Sequence, residues 1–368
     1  MNAYIKKFII VAVFWAVSAF GLAQTTNYFL GGNTYVSDGA NWSEGVLPTV
    51  TTGYIFAGAG GYIGNGNGGP RAGNMLVVQE GGWLSSSGND GIVITNSHWT
   101  LNGGSISSLK GITLTDCTII VNDGAVRNDS GKSMSISSST ELTFNGGRLY
   151  GSGAIINSGT VLVNGGACTN YYYRGGGTLT VNGGQVDITG SFGNWSHLGG
   201  DWHVVVNGGT FLGPRWTTRS TTSTFVLGGT TPGQVIFDDW GSNLYNDGYP
   251  AGGPDDEQYD NRVNINFLSN TLVTLTMVRP RALDLVDNNP NVYDPVYASN
   301  QWAEALWENN QLRFHGQTKT DLGGSPDFDW VNVTNWNGLG GYQRWNYDGF
   351  TLGIAYEPPP SGTVIVIN

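Results

Sequence analysis

Five copies of Asn-Gly-Gly, each closing a short apolar strand, constrain this chain more than anything else in it. They end the segments Trp99 to Asn102, Leu142 to Asn145, Val161 to Asn164, Leu179 to Asn182 and Val204 to Asn207. Degenerate copies sit at Val77 to Gln79, Val121 to Gly124 and Val226 to Gly229. Counted at the corner positions Gln79, Asn102, Asn122, Asn145, Asn164, Asn182, Asn207 and Gly228, the successive steps are 23, 20, 23, 19, 18, 25 and 21. A repeat of about 21 residues is one coil of a solenoid, in which each repeat buries its apolar face only against its neighbours.

The units fit that reading. In Gly177 to Thr189, Leu179 and Val181 share one strand face, and Val186 and Ile188 share a face of the next. Gly accounts for 58 of 368 residues and charged residues for 12%, so a disordered chain has to be weighed. The alternating apolar strands and 44 aromatic residues (13 Trp, 17 Tyr, 14 Phe) exclude it. Asn and Gly suit tight bends, because both tolerate left-handed backbone. Asn side chains stacked in consecutive coils can also bond to one another. Asn102, Asn122, Asn145, Asn164, Asn182 and Asn207 are therefore expected to form a structural turn ladder.

The expected fold is all-β: a right-handed single-stranded parallel β-helix of about eight coils, roughly 35 to 40 Å long at ~4.8 Å per coil. It carries an N-terminal cover and a small α+β C-terminal cap. A β-propeller is disfavoured by the unequal spacing, since a closed ring tolerates unequal units less readily than an open stack. Residues 1–24 read as a signal peptide, with Lys6 and Lys7 before an apolar run and Gly21-Leu22-Ala23 as the cleavage site. Residues 25–70 form the cover, with Trp42, Tyr54 and Phe56 as plugs; 71–240 the coils; 241–261 an acidic Gly/Pro loop. Residues 262–357 hold the C-terminal strands and a capping helix, Ser299 to Asn309, whose Trp302, Ala305, Leu306 and Asn309 share a face. Residues 358–368 form a tail.

Removal of the leader takes the net charge from −11 to −13 by deleting two Lys, which leaves no basic face for nucleic acid. No later stretch reaches the ~20 apolar residues of a membrane helix, so no integral segment is expected after signal removal. The expected location is secreted or at the cell surface. Cys117 and Cys168 lie more than two coils apart in the stack, beyond disulfide reach, and are expected to be free buried thiols.

The leader, the entrance Asn41-Trp-Ser-Glu-Gly-Val-Leu-Pro48, the serial Asn-Gly-Gly coils and the closing segment Trp302 to Phe314 together resemble secreted bacterial right-handed parallel β-helix proteins of the pectin-lyase-like fold. They are similar to autotransporter passengers and to exported repeat proteins with a Pro-Glu-Pro sorting tail. The resemblance implies a non-catalytic extracellular scaffold or adhesin, with polysaccharide or cell-surface glycans as partners. It carries over neither family's surface anchor, because neither a membrane barrel nor an apolar sorting helix followed by basic residues is written in the chain.

The shared architecture also raises polysaccharide lyase or glycoside hydrolase activity. A lyase needs a base and a cation or Arg against the uronate carboxylate, and a hydrolase needs clustered carboxylates. Past the leader, the candidates are Lys110, Lys132 and Lys319, with Arg127, Arg148, Arg174, Arg215 and Arg219 at no shared spacing. Asp116, Asp123, Asp129, Asp187 and Asp201 each fall in a different strand context. No catalytic residue is assigned. The glycan-binding candidates are the aromatics Tyr171, Tyr172, Tyr173, Trp195, Trp216 and Trp240, since flat rings stack on sugars. The competing reading packs these rings against loops. No cofactor is expected apart from Ca²⁺ at Asp255, Asp256, Glu257 and Asp260, for which a solvated acidic loop is the alternative.

Overall fold

The structure is a computed structural model. It describes residues 27–30, 35–48, 54–58, 60–63, 75–86, 91–128, 131–188, 198–199, 203–215, 224–239, 264–268, 271–279, 302–308, 310–321, 333–334 and 342–357. These form a parallel β-solenoid with three walls. The first wall runs from Tyr54–Phe56 through the strands that precede each Asn-Gly-Gly to Leu312–Phe314, eleven rungs in unbroken parallel register. The second runs from Gly60–Ile63 to Val273–Arg279, ten rungs. The third runs from Ile92–Thr95 to Leu198–Gly199, six rungs, so six turns are closed on all three sides.

Alternation puts one set of side chains inside. On the first wall the pairs Trp99/Leu101, Ile119/Val121, Leu142/Phe144, Val161/Val163, Leu179/Val181 and Val204/Val206 are all buried. Each such side chain withdrawn from water contributes about 1.5–3 kcal/mol, and the register stacks like on like. The second wall is less apolar. Its corner toward the third wall stacks Ser86 on Ser108, Oγ to Oγ at 2.9 Å, with buried Asn128 and Asn170 further along.

The Asn-Gly-Gly corners work by a division of labour. The repeated Asn residues are not in left-handed backbone; at four of the five corners the second Gly is, at φ 69°, 74°, 68° and 69° for Gly147, Gly166, Gly184 and Gly209, and at the Asn102 corner the first Gly, Gly103, takes φ 120°. Both glycines also lie against the coil below. A Cβ on Gly165 would meet Asn145 O at 2.5 Å, and one on Gly166 would meet Gly147 O at 2.3 Å. Close approach of stacked backbones, together with the turn, excludes a side chain at both positions. The Asn is present for its amide, not for its backbone freedom.

The first and second walls run beyond the eight rungs expected, although six turns are closed on all three sides. Asn264–Phe267, Val273–Arg279 and Leu312–Phe314, expected as parts of a cap, continue the first and second walls. Ten intervals on the first wall make a rod of roughly 48 Å. The repeat was hidden because the step along the chain from Phe225 to its partner Ile265, and again from Ile265 to Leu312, is about twice the usual period. Two insertions break the period without breaking the stack.

Both ends of the column are covered by aromatic rings. Near the start, Phe29, Trp42 and Phe56 meet with centroids 5.1, 5.3 and 5.5 Å apart, and Trp42 Nε1 donates to Val36 O. At the far end, strand Thr351–Glu357 pairs antiparallel with Val273–Arg279 and stops the parallel ladder. Its hairpin partner Tyr342–Tyr347 drops Trp345 onto Phe267, Phe314 and Trp307 at 5.1, 5.6 and 5.8 Å. Asp348 closes the hairpin, accepting from Phe350 N and Thr351 N at 2.9 and 2.7 Å, which holds its carboxyl below the usual range. The helix spans Trp302–Glu308 and buries Trp302, Ala303, Leu306 and Trp307. Trp302 and Leu306 are buried as expected, Ala303 and Trp307 are buried beside them with Trp307 meeting Trp345, and the side chain of Ala305 and Asn309 lie outside the described residues.

Candidate functional site

The ladder residues come together as one line of amides. Asn122 Nδ2 donates to Asn102 Oδ1, and Asn145, Asn164, Asn182 and Asn207 each donate to the Asn one coil below, all five bonds at 2.9 Å. Every member but Asn207 is exposed along the corner, and Asn207 is half-buried. The line ends there, because the next corner position is Gly228.

Tyr173 is not a surface ring. It pairs with Ile155 and Leu198 on an inward column of the third wall and is 1% exposed. Asn157 Nδ2 donates to its hydroxyl at 2.5 Å, and burial pushes the phenol well above its ordinary range. Strand parity sends this member of the triplet inside, which removes it from the glycan candidates. The backbones of Tyr171 and Tyr172 lie in the strand Ala167–Arg174, opposite the register shift between Gly151 and Ala154. Their side chains, and the whole of Trp195, Trp216, Trp240, Asp255, Asp256, Glu257 and Asp260, lie outside the described residues.

The flanks of Trp216 and Trp240 are described, and they are informative. Arg215 pairs with Asp239, and Asp239 with Arg279, at the ends of three adjacent rungs of the second wall. Trp216, Trp240 and Pro280 are the residues that follow. The segments 216–223, 240–263 and 280–301 therefore start at the ends of three adjacent rungs of that wall, and they themselves lie outside the described residues.

The outward face of the second wall gathers residues that had no visible spacing. Arg127 pairs with Tyr150, and its Cζ stands 5.7 Å from the Tyr150 ring centroid. Thr169 and Asp187 continue the same column, while Arg148 lies in the adjacent one between Ala125 and Ala167. Arg127, Arg148 and Tyr150 are all exposed. Tyr150 was missed. The signal for it is that the step from Arg127 to Tyr150 equals the step from Asn122 to Asn145.

Cys117 and Cys168 are free and buried, and burial raises both thiols, Cys168 to about 12. They are poor nucleophiles in that state. His98 and His203 share an outward column of the first wall but stand five rungs apart, and His203 Nδ1 bonds Thr224 Oγ1. Among the described residues no three His, Cys, Asp or Glu side chains form a metal-binding group, and no helix is long and apolar enough to cross a membrane.

The class that the fold defines is therefore a three-walled parallel β-solenoid with an amide-laddered corner. No protein-family model, curated protein or solved structure matches the chain.

Proposed function

We propose that this is an exported extracellular or cell-surface scaffold or adhesin whose column presents its insertions to glycans, without catalysis. The observation that supports this reading most is that Trp216 and Trp240 directly follow paired positions at the ends of neighbouring rungs, and that the long segments 240–263 and 280–301 are inserted between rungs that stay in register. A rigid wall sets the spacing of what it displays, and loops on rigid scaffolds carry recognition. Trp and Tyr rings in those segments offer flat apolar faces to sugars. The leader reading makes export part of the proposal.

A glycan array with the mature protein tests it, beside the variant Trp216→Ala/Trp240→Ala and the variant Tyr150→Ala. Binding by the parent that is lost in the double Trp variant supports the reading. Absence of binding by the parent removes glycans as partners and leaves the scaffold. Loss in Tyr150→Ala alone moves the site to the second wall. Export is tested by the mature N-terminus, expected at Gln24.

One observation favours a second reading. Arg127, Arg148 and Tyr150 share one lateral face, the residue types that a polysaccharide lyase uses for charge neutralisation and proton abstraction. Unsaturated products from uronate polymers, lost in Tyr150→Phe, would establish it.

A further inference from the structure

We propose that Asn207 is a site of spontaneous deamidation, with water as the reactant, and that the amide ladder protects the other Asn-Gly corners from the same reaction. Five ladder members precede Gly: Asn102, Asn145, Asn164, Asn182 and Asn207. In an Asn-Gly pair the Gly nitrogen attacks Cγ of the Asn side chain. A C–N bond forms, the Cγ–Nδ2 bond breaks, and ammonia leaves with the proton from the Gly nitrogen. Water then opens the succinimide at either carbonyl, giving aspartate or isoaspartate. Gly favours the step because it places no Cβ against the closing ring.

The fold obstructs both partners of this reaction at the middle corners. Asn145, Asn164 and Asn182 each have Nδ2 donated to the coil below and Oδ1 bonded by the coil above. Their Cγ cannot swing toward the backbone without breaking ladder bonds. The attacking nitrogens are also engaged: Gly146 N donates to Val121 O at 3.3 Å, Gly165 N to Phe144 O at 3.2 Å and Gly183 N to Val163 O at 3.2 Å.

Asn207 lacks both restraints among the described residues. Its Oδ1 has no ladder donor above, since the next corner carries Gly228, and the bond that Gly146, Gly165 and Gly183 make to the coil below has no counterpart at Gly208. Only the bond from Asn207 Nδ2 to Asn182 Oδ1 remains. Conversion replaces that donor with a carboxylate, so the reaction removes the last rung, adds a negative charge and leaves Asn182 as the new end. Asn102, at the opposite end, still has its Oδ1 held by Asn122 and ranks between Asn207 and the middle three.

The test is peptide mapping by mass spectrometry of the full folded chain held in mildly alkaline buffer, with a urea-unfolded sample in parallel. Asn207 is expected to convert about tenfold or more faster than Asn145, Asn164 and Asn182 when folded, since one hydrogen bond that must break before attack commands close to that factor. In urea the sites are expected to converge. The variant Asn207→Ala, which removes the donor to Asn182 Oδ1, should speed conversion of Asn182 severalfold. Equal folded rates at the four sites of the parent, or faster conversion at a middle corner, overturns the proposal. So does an unchanged Asn182 rate in an Asn207→Ala chain that keeps its β-sheet circular dichroism.

Discussion

The coils from His98 to Val181 and the rungs from His203 to Leu352 fill one column in two different ways. In the first region three walls enclose the interior, and aliphatic side chains stacked in register predominate: Ile119, Leu142, Val161 and Leu179 follow one another on a single wall. In the second, the third wall contributes no rung among the described residues after Leu198–Gly199. The interior there adds contacting rings to its aliphatic residues such as Val206, Leu227 and Leu275. Phe211, Phe225 and Phe237 meet at 5.3, 5.7 and 6.2 Å, and Phe267, Phe314, Trp307 and Trp345 follow toward the C-terminal end. The amide ladder ends at the same level, at Asn207. Close repetition specifies a column through identical corners, and where repetition lapses, packed rings help to fill the interior.

The sharpest way to break this contrast is Trp345→Ala. Removing a ring that touches Phe267, Phe314 and Trp307 should cost about 3–5 kcal/mol in urea unfolding, with proteolysis confined to the terminal rungs. Proteolysis that begins instead among the regular coils would mean that the ring does not close this end. The next largest effect separates a corner from a free turn. Gly166→Ala combines φ 74° with a backbone oxygen 2.3 Å from the new Cβ and should cost more than about 2 kcal/mol, whereas Gly316→Ala, at φ 83° with nothing within 4 Å, should cost about 1. Asn164→Ala removes two ladder bonds and Asn207→Ala removes one, so their costs should be about 2 and about 1 kcal/mol in the same assay.

The smallest effect at neutral pH is electrostatic. Burial raises the Cys168 thiol from its ordinary value of 9.0 to about 12, and it raises the Tyr173 phenol as well. The unfolded chain ionises first as pH rises. Stability from these groups is therefore complete below pH 9.0 and falls as pH climbs toward about 12, while Cys168→Ala should flatten that fall. A urea midpoint in the parent that does not change across that range would contradict the assignment.

The corner motif made the first half of the fold legible, because Asn-Gly-Gly repeats at nearly constant spacing and alternation marks the inward positions. The second half was not legible as coils. Segments 240–263 and 280–301 stretch the interval beyond any repeat, so the strands at Asn264, Val273 and Leu312 looked like a separate cap. The interior fate of Tyr173 was hidden for a different reason: three consecutive tyrosines carry no parity mark, and only the pairing with Ile155 assigns it. Of the lateral face, Arg127 and Arg148 were visible as residues but not as neighbours of Tyr150, since adjacency across coils needs the local period and not the average one.

The central claim is that successive Asn corners sit directly above one another, and paired cysteines measure it. Corners one coil apart are separated by about 4.8 Å, inside the ~4.4–6.8 Å Cα window of a disulfide, while corners two coils apart exceed it. Asn145→Cys with Asn164→Cys should therefore cross-link under mild oxidation, and Asn145→Cys with Asn182→Cys should not, Cys117 and Cys168 staying buried in both. Cross-linking of the distant pair at the rate of the near one, or of neither, would contradict the stacked column.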